Sequence, residues 1–314
     1  MTASWVAAGV RARALGRRRL GRVGARSLAA TGSVDAAVEA LADTAYGRDV
    51  RPGQDLAAAQ HAVAACLLWN LRVLAGWLPR EGVDAVRLLV RWFEIANVDA
   101  LLAAWHDAEP ASPSAGAAPA YRLGTLGTSW TALSGAASMT DLRDRLARTP
   151  WGDPGGDGRW EVQVCMRLGW ADRLAATVPA TQQWAAGAAA LLLAREAVVG
   201  GRALPQPASA AAARLLGVDA AGAGSLPELA ARLPATARWA VRGVTHRDDL
   251  WAAETRWWRR VEDDASALAR SARFGFEPVL GAVALLAVDA WRVRAALELA
   301  GRGGGPPGVL DAVA

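Results

Sequence analysis

Three segments of the chain share one order of polar and apolar positions. Ser33-Val34, Ser138-Met139 and Ser225-Leu226 each set a hydroxyl beside an apolar residue, and a Leu follows eight positions after each Ser, at Leu41, Leu146 and Leu233. A Thr stands eleven positions after each Ser, at Thr44, Thr149 and Thr236. The first two segments then carry an aromatic and a Gly, Tyr46-Gly47 and Trp151-Gly152, while the third has Trp239 near that place. The apolar residues one and eight positions after each Ser are separated by a helical rotation of about 700°, so they lie almost one above the other on a single face. Ser is a good N-cap because its hydroxyl accepts from a free amide of the first turn. Asp35, Asp141 and Glu228 put negative charge in that turn, where the helix dipole favours it. The pattern predicts three short amphipathic helices with defined starts, each ended near the Thr by Gly or Pro.

Longer helical patterns lie between breaks rich in Pro, Gly or Ser at 107–120, 152–158, 200–209, 217–224 and from Gly301 onward. A second element recurs at a similar distance from each Thr, a helix with a carboxylate just after an apolar run. Glu94 follows Thr44 by fifty positions, Glu196 follows Thr149 by forty-seven and Asp289 follows Thr236 by fifty-three. The expectation is an all-α chain of three blocks. A first bundle spans 1–106 and opens with an Arg-rich helix, 107–120 is a linker, further bundles span 121–203 and 204–303, and 304–314 is a flexible tail. Ala and Leu dominate throughout and Ile95 is the sole Ile, which favours helix over strand.

Several short motifs carry a family resemblance: Ala40 to Gly47 (ALADTAYG) after a capped start, Glu94-Ile95-Ala96-Asn97, and a closing stretch from Phe274-Gly275-Phe276-Glu277-Pro278 through Asp289 and Arg292-Val293-Arg294 to Gly301-Arg302-Gly303. In their order and threefold repetition they resemble the central-stalk connector of A/V-type (archaeal/vacuolar) rotary ATPases. The resemblance implies three similar helical bundles around a pseudo-threefold axis, forming a funnel that seats the rotor shaft on the membrane ring of a proton-transporting complex. It implies a structural coupling protein, not an enzyme, with rotor-shaft and membrane-ring subunits as partners. Its place is then the cytoplasm, peripheral to the inner face of the cell membrane. The second closing helix has Val199 where the family has Asn, and the third has Arg292 there.

Composition narrows the chemistry. The chain has no Lys, so all 35 basic residues are Arg, and a Walker A lysine or a Schiff-base lysine is excluded. Seven arginines, at 11, 13, 17, 18, 19, 22 and 26, precede the first acidic residue Asp35, which exceeds the whole net charge of +5. Such a start fits the solvated face of a first helix. It also fits a transit peptide, or a stand-alone helical binding module that meets anionic lipid or nucleic acid, although the stalk reading expects no nucleic acid. The longest apolar runs, 184–194 and 279–288, fall short of the roughly 18 residues a spanning helix needs, so membrane association is expected only through partners.

Catalytic candidates are sparse. His246-Arg247-Asp248 spells part of a kinase loop without its Gly-rich loop or lysine. Asp248-Asp249 and Glu262-Asp263-Asp264 offer paired carboxylates that a Mg²⁺-dependent helical enzyme could use, but they lack the spacing that stacks carboxylates one turn apart. Arg247, Arg256, Arg259 and Arg260 stand ready to pair with them. His61, His106 and His246 are far apart, and His61 with Cys66 is too few ligands for zinc. No metal or cofactor is expected, and Cys66 and Cys165 lack CxxC partners. The residues proposed for partner contacts are Asn97, Arg292 and Arg294, oriented by Glu94, Glu196 and Asp289. Trp257-Trp258 joins them, since adjacent aromatics cannot both face one core.

Overall fold

A computed structural model describes residues 3–107, 119–272 and 275–305. Most of the expected linker at 107–120 and of the tail at 304–314, together with Phe274 and the side chain of His106, lie outside the described residues. Among the described residues every regular element is helical, as the Ala- and Leu-rich composition predicts.

The chain divides into two compact units, one formed by Met1–Asp84 with Trp258–Ala314 and the other by Ala85–Trp257. The first opens with α1 (Ala3–Gly16), α2 (Gly21–Ala29), α3 (Val34–Ala42) and α4 (Leu56–Ala75), and α5 (Arg80–Asp107) starts there and continues into the second. The second holds α6 (Trp130–Leu133), α7 (Met139–Ala147), α8 (Arg159–Thr177), α9 (Gln182–Leu193), α10 (Gln206–Leu216), α11 (Leu226–Arg232) and α12 (Ala235–Arg238). A π-helical turn, Ala194–Val199, extends α9. Then α13 (Leu250–Arg270) returns the chain to the first unit, which ends with α14 (Phe276–Gly301).

In the first unit α14 is buried along most of its length, and α1, α2, α3 and α4 pack on it. Its run from Val279 to Val288 is apolar on every face, which calls for burial on all sides. Val293 and Leu297 of α14 meet Leu28, Val38, Leu41, Tyr46 and Val63 in one core. A Cβ added to Gly281 would lie 2.6 Å from the Ala265 carbonyl oxygen and 2.4 Å from the Ala269 amide nitrogen, so only glycine permits this approach of α14 to α13.

In the second unit α8 is shared by two cores. Val162 and Met166, one turn apart, join Ile95, Val98 and Leu102 of α5 with Leu133, Leu142 and Leu146. Val164 and Leu168 face the other way and join Ala190 and Leu193 of α9, Leu216 of α10, and Leu229 and Leu233 of the α11 region. Each of these three cores therefore contains one of the Ser-capped helices, α3, α7 or α11.

The predicted caps are present. Ser33 Oγ accepts from the Ala36 amide at 3.2 Å, Ser138 Oγ from Asp141 at 3.2 Å and Ser225 Oγ from Glu228 at 3.3 Å. Each cap contributes about 1 kcal/mol, whereas removing a buried Leu such as Leu41, Leu146 or Leu233 costs about 2–5 kcal/mol. The apolar face fixes these helices in place and the Ser fixes where they begin.

The first two segments also end alike. Thr44 Oγ1 donates to the Leu41 carbonyl at 2.7 Å and accepts from the Tyr46 amide at 3.1 Å. Thr149 Oγ1 does the same with Leu146 at 2.8 Å and Trp151 at 3.2 Å. The third departs because Pro234 starts α12 at once. There the Leu233 carbonyl is taken by the Arg238 guanidinium at 2.7 Å, and the Thr236 carbonyl accepts the Trp239 indole at 2.8 Å.

Candidate functional site

Two of the carboxylates that follow the apolar runs, Glu94 and Asp289, are buried and each accepts several hydrogen bonds. Glu94 on α5 is 1% exposed. Its Oε1 accepts from the amides of Thr128 at 2.6 Å, Ser129 at 2.7 Å and Trp130 at 3.3 Å, so it caps α6, whose own N-cap residue supplies no side-chain bond. Its Oε2 accepts from the Thr128 hydroxyl at 3.0 Å and the Trp151 indole at 3.0 Å. Asp289 on α14, also 1% exposed, does the same in the first unit. It accepts from the Leu20 amide at 3.0 Å, the Gly21 amide at 2.7 Å and the Tyr46 hydroxyl at 2.8 Å, at the uncapped start of α2. Amides of a helix start are donors suited to a buried anion. Burial, then the Asp289 charge, hold the Tyr46 phenol well above its ordinary value, so it stays a donor.

The pairing corrects an expectation. By sequence distance each carboxylate helix closes the block whose Thr precedes it. In the structure Glu94 holds Trp151, the aromatic of the second segment, and Asp289 holds Tyr46, the aromatic of the first. The helix of Glu94 thus serves the capped segment that follows it, and the last helix, that of Asp289, serves the first.

The position three residues on repeats the logic with different chemistry. Asn97, buried, bonds Tyr121 twice, donating to its carbonyl at 3.0 Å and accepting from its amide at 2.7 Å, which pins the chain on its way to α6. In α14 this place belongs to Arg292, which is 2% exposed and reaches Glu262 at 3.0 Å; Glu262 in turn binds Arg22 on α2. Glu262 there bridges two cations, Arg22 and Arg292. Burial raises the Glu262 carboxyl, but its bonds to Arg22 and Arg292 outweigh this and hold it below its ordinary value. Val199 holds the third such place, 38% exposed, and makes no clamp of this kind.

Glu196 is the exception among the carboxylates. It lies half-buried in the π-helical turn against which α11 packs, and it accepts the Trp160 indole at 2.8 Å with Arg202 at 3.7 Å. Arg294 is exposed. Both members of the Trp pair find neighbours: Trp257 donates to the Trp184 carbonyl at 2.9 Å, and Trp258 stacks on Trp291 with ring centroids 5.1 Å apart. Of the residues proposed for partner contacts, Glu94, Asn97, Asp289 and Arg292 are therefore enclosed and committed within the chain. Glu196, Trp257 and Trp258 are partly accessible.

The acidic clusters are likewise explained by local structure. Asp249 Oδ2 accepts from the amides of Thr245 and His246, both at 2.9 Å, and these bonds hold its carboxyl below the ordinary value. It caps the 3-10 turn that leads into α13, while Asp248 points to solvent. Asp264 pairs with Arg260 at 2.9 Å and Glu262 belongs to the buried triad. Among the described residues no three His, Cys, Asp or Glu side chains converge where they could hold a metal ion. Cys66 and Cys165 are pushed up to about 11 by burial, which removes thiolate reactivity near neutral pH.

Sequence reasoning found the carboxylates and the aromatics separately but missed that they bond. The available signal was the aromatic two residues after Thr44 and after Thr149, since a buried indole N–H or phenol O–H must find an acceptor. Leu20-Gly21 and Thr128-Ser129 carry no motif, because they contribute backbone amides. No protein-family model matches the chain, and no curated protein matches it.

Proposed function

We propose that this protein is a non-catalytic structural coupling protein of the kind found in the central stalk of A/V-type rotary ATPases, built as three similar helical bundles in a pseudo-threefold, funnel-like arrangement. One observation carries the reading. A Ser-capped helix, a Thr-closed turn and an aromatic bonded to a buried carboxylate recur with the same atoms in two places, and a third Ser-capped helix has its own core. A chain that spends its buried acids on fastening helix starts invests in rigidity, which torque transmission requires. The partners in this reading are the rotor shaft and the membrane ring, met on the cytoplasmic face. Contact falls to accessible groups, Arg294 with Glu196, Trp257 and Trp258, since Arg and Trp make effective interface anchors. Among the described residues no helix is long and apolar enough to cross a membrane, so docking on the ring runs through protein.

Co-purification tests the reading. A tagged copy expressed in its native host should bring down shaft and ring subunits from detergent-solubilised membranes, and Arg294→Glu should weaken the recovery. Isolation of the chain without either class of subunit would refute it.

A second reading has its own observation. Arg11, Arg13, Arg17, Arg18, Arg22 and Arg26 on and after α1 are exposed, as a helical binding module for anionic surfaces needs. Salt-sensitive retention on heparin, lost on removing the first 26 residues, would favour that module over the stalk.

A further inference from the structure

The first unit contains a cavity of about 200 Å³ beside the Asp289–Tyr46 clasp, lined by both of these residues. A cavity needs only about 10–15 Å³ of such space to hold one water, so this one has room for far more. Its inner wall is buried and includes Tyr46, Cys66 and Asp289, while Arg18 and Arg48 are exposed and Arg19 is half-buried. Three arginines thus line a space to which Asp289 brings the one carboxylate among the lining residues.

That carboxylate does not neutralise them at close range. Asp289 Oδ1 is taken by the Gly21 amide, and Oδ2 by the Leu20 amide and the Tyr46 hydroxyl. Arg19 uses Nε on the Gly16 carbonyl at 2.7 Å. Arg48 lies flat on Trp69, 3.9 Å from the ring centroid, with Asp49 at 3.5 Å from its Nε. Arg18 forms no ion pair among the described residues. The cationic field reaches the inner wall: burial and Asp49 raise the Cys66 thiol, and Arg48 and Arg18 both act against that rise. Convergent guanidiniums repel one another and stay solvated unless an anion joins them, and planar N–H forks match the oxygens of a tetrahedral oxyanion. A single carboxylate would leave most of the donors of three arginines unused.

We propose that this cavity binds the phosphate group of a small ligand, held by Arg18, Arg19 and Arg48, with the Trp69-stacked Arg48 as its fixed wall. The phosphate can come from a free phosphate compound or from the headgroup of an anionic lipid, and one set of variants separates the two. Inorganic phosphate is titrated calorimetrically into the full chain at constant ionic strength, and flotation is measured with phosphatidylcholine vesicles with and without phosphatidic acid. Each is repeated with Arg18→Gln and with Arg11→Gln, the latter an exposed arginine outside the cavity lining. Saturable phosphate binding weakened about tenfold by Arg18→Gln alone, the scale of one charge-assisted contact, identifies a free phosphate ligand. Flotation that requires phosphatidic acid and is lost in Arg18→Gln alone identifies the headgroup. Absence of saturable binding in both assays, or equal loss in Arg11→Gln and Arg18→Gln, overturns the proposal. Arg18 is exposed, so thermal melting of its variant should match the wild type and exclude misfolding as the cause.

Discussion

Replacing Glu94 and Glu196 by Ala separates a fastening carboxylate from a surface one within the same chain. In Glu94→Ala the amides of Thr128, Ser129 and Trp130 and the indole of Trp151 all lose their acceptor, a residue that is itself 1% exposed. A buried donor left without a partner costs about 1–3 kcal/mol. These costs are not additive, because α6 can fray and water can enter the space of the lost side chain, so the expected total is about 3–5 kcal/mol. Glu196 is half-buried and loses one indole bond and a loose ion pair, so Glu196→Ala should cost about 1 kcal/mol. The assay is urea unfolding followed by far-UV circular dichroism and by tryptophan fluorescence, with the midpoint shift compared at an unchanged slope. Two compact units can unfold in separate steps, so the two probes are fitted independently. Equal losses for the two variants would refute the claim that Glu94 is a structural clasp and Glu196 is not.

The two Thr-closed turns should respond alike and the third should not: Thr44→Val and Thr149→Val each lose a hydroxyl that both donates and accepts, about 1 kcal/mol by urea midpoint, while Thr236→Val stays within about 0.5 kcal/mol. Glu262 has a folded pKa below its unfolded one, so its stabilisation is present above the unfolded value of about 4.3 and is lost as pH falls through the folded value. Glu262→Gln should therefore flatten the acid limb of thermal stability against pH, and an unchanged limb would contradict the triad. Cys66 and Cys165, raised to about 11, should react with a thiol reagent near pH 8 only after denaturation. Gly281→Ala should destabilise by about 1–3 kcal/mol through collision with the α13 backbone, whereas Gly169→Ala, in open space on α8, should not.

The helices and their starts were legible in the sequence because they follow from local physics. Ser33, Ser138 and Ser225 cap where spacing places them, and Leu41, Leu146 and Leu233 are buried on the face their periodicity defines. The partners of the carboxylates were not legible, since they depend on which helix returns to which segment. Asp289 stands 243 residues from Tyr46, and no spacing rule joins them. For the same reason Asn97 and Arg292 looked like surface contact groups: a polar residue on an amphipathic helix has the same local signature whether it meets solvent or a buried backbone amide. Arg292 takes on α14 the place that Asn97 has on α5 and pairs with Glu262, a contact visible only once α13 and α14 are side by side. The third segment diverges at one residue, Pro234, which opens α12 and turns both Thr236 and Trp239 to other bonds.

The coupling role itself is tested most directly by deleting the gene in the native host and assaying where nucleotide hydrolysis resides. If the chain seats a rotor shaft on a membrane ring, hydrolysis by the rotary complex should leave the membrane fraction for the soluble one. ATP-driven proton pumping should stop, and expression of the wild-type chain should restore both. Unchanged membrane-bound hydrolysis and undiminished pumping in the deletion strain would contradict it.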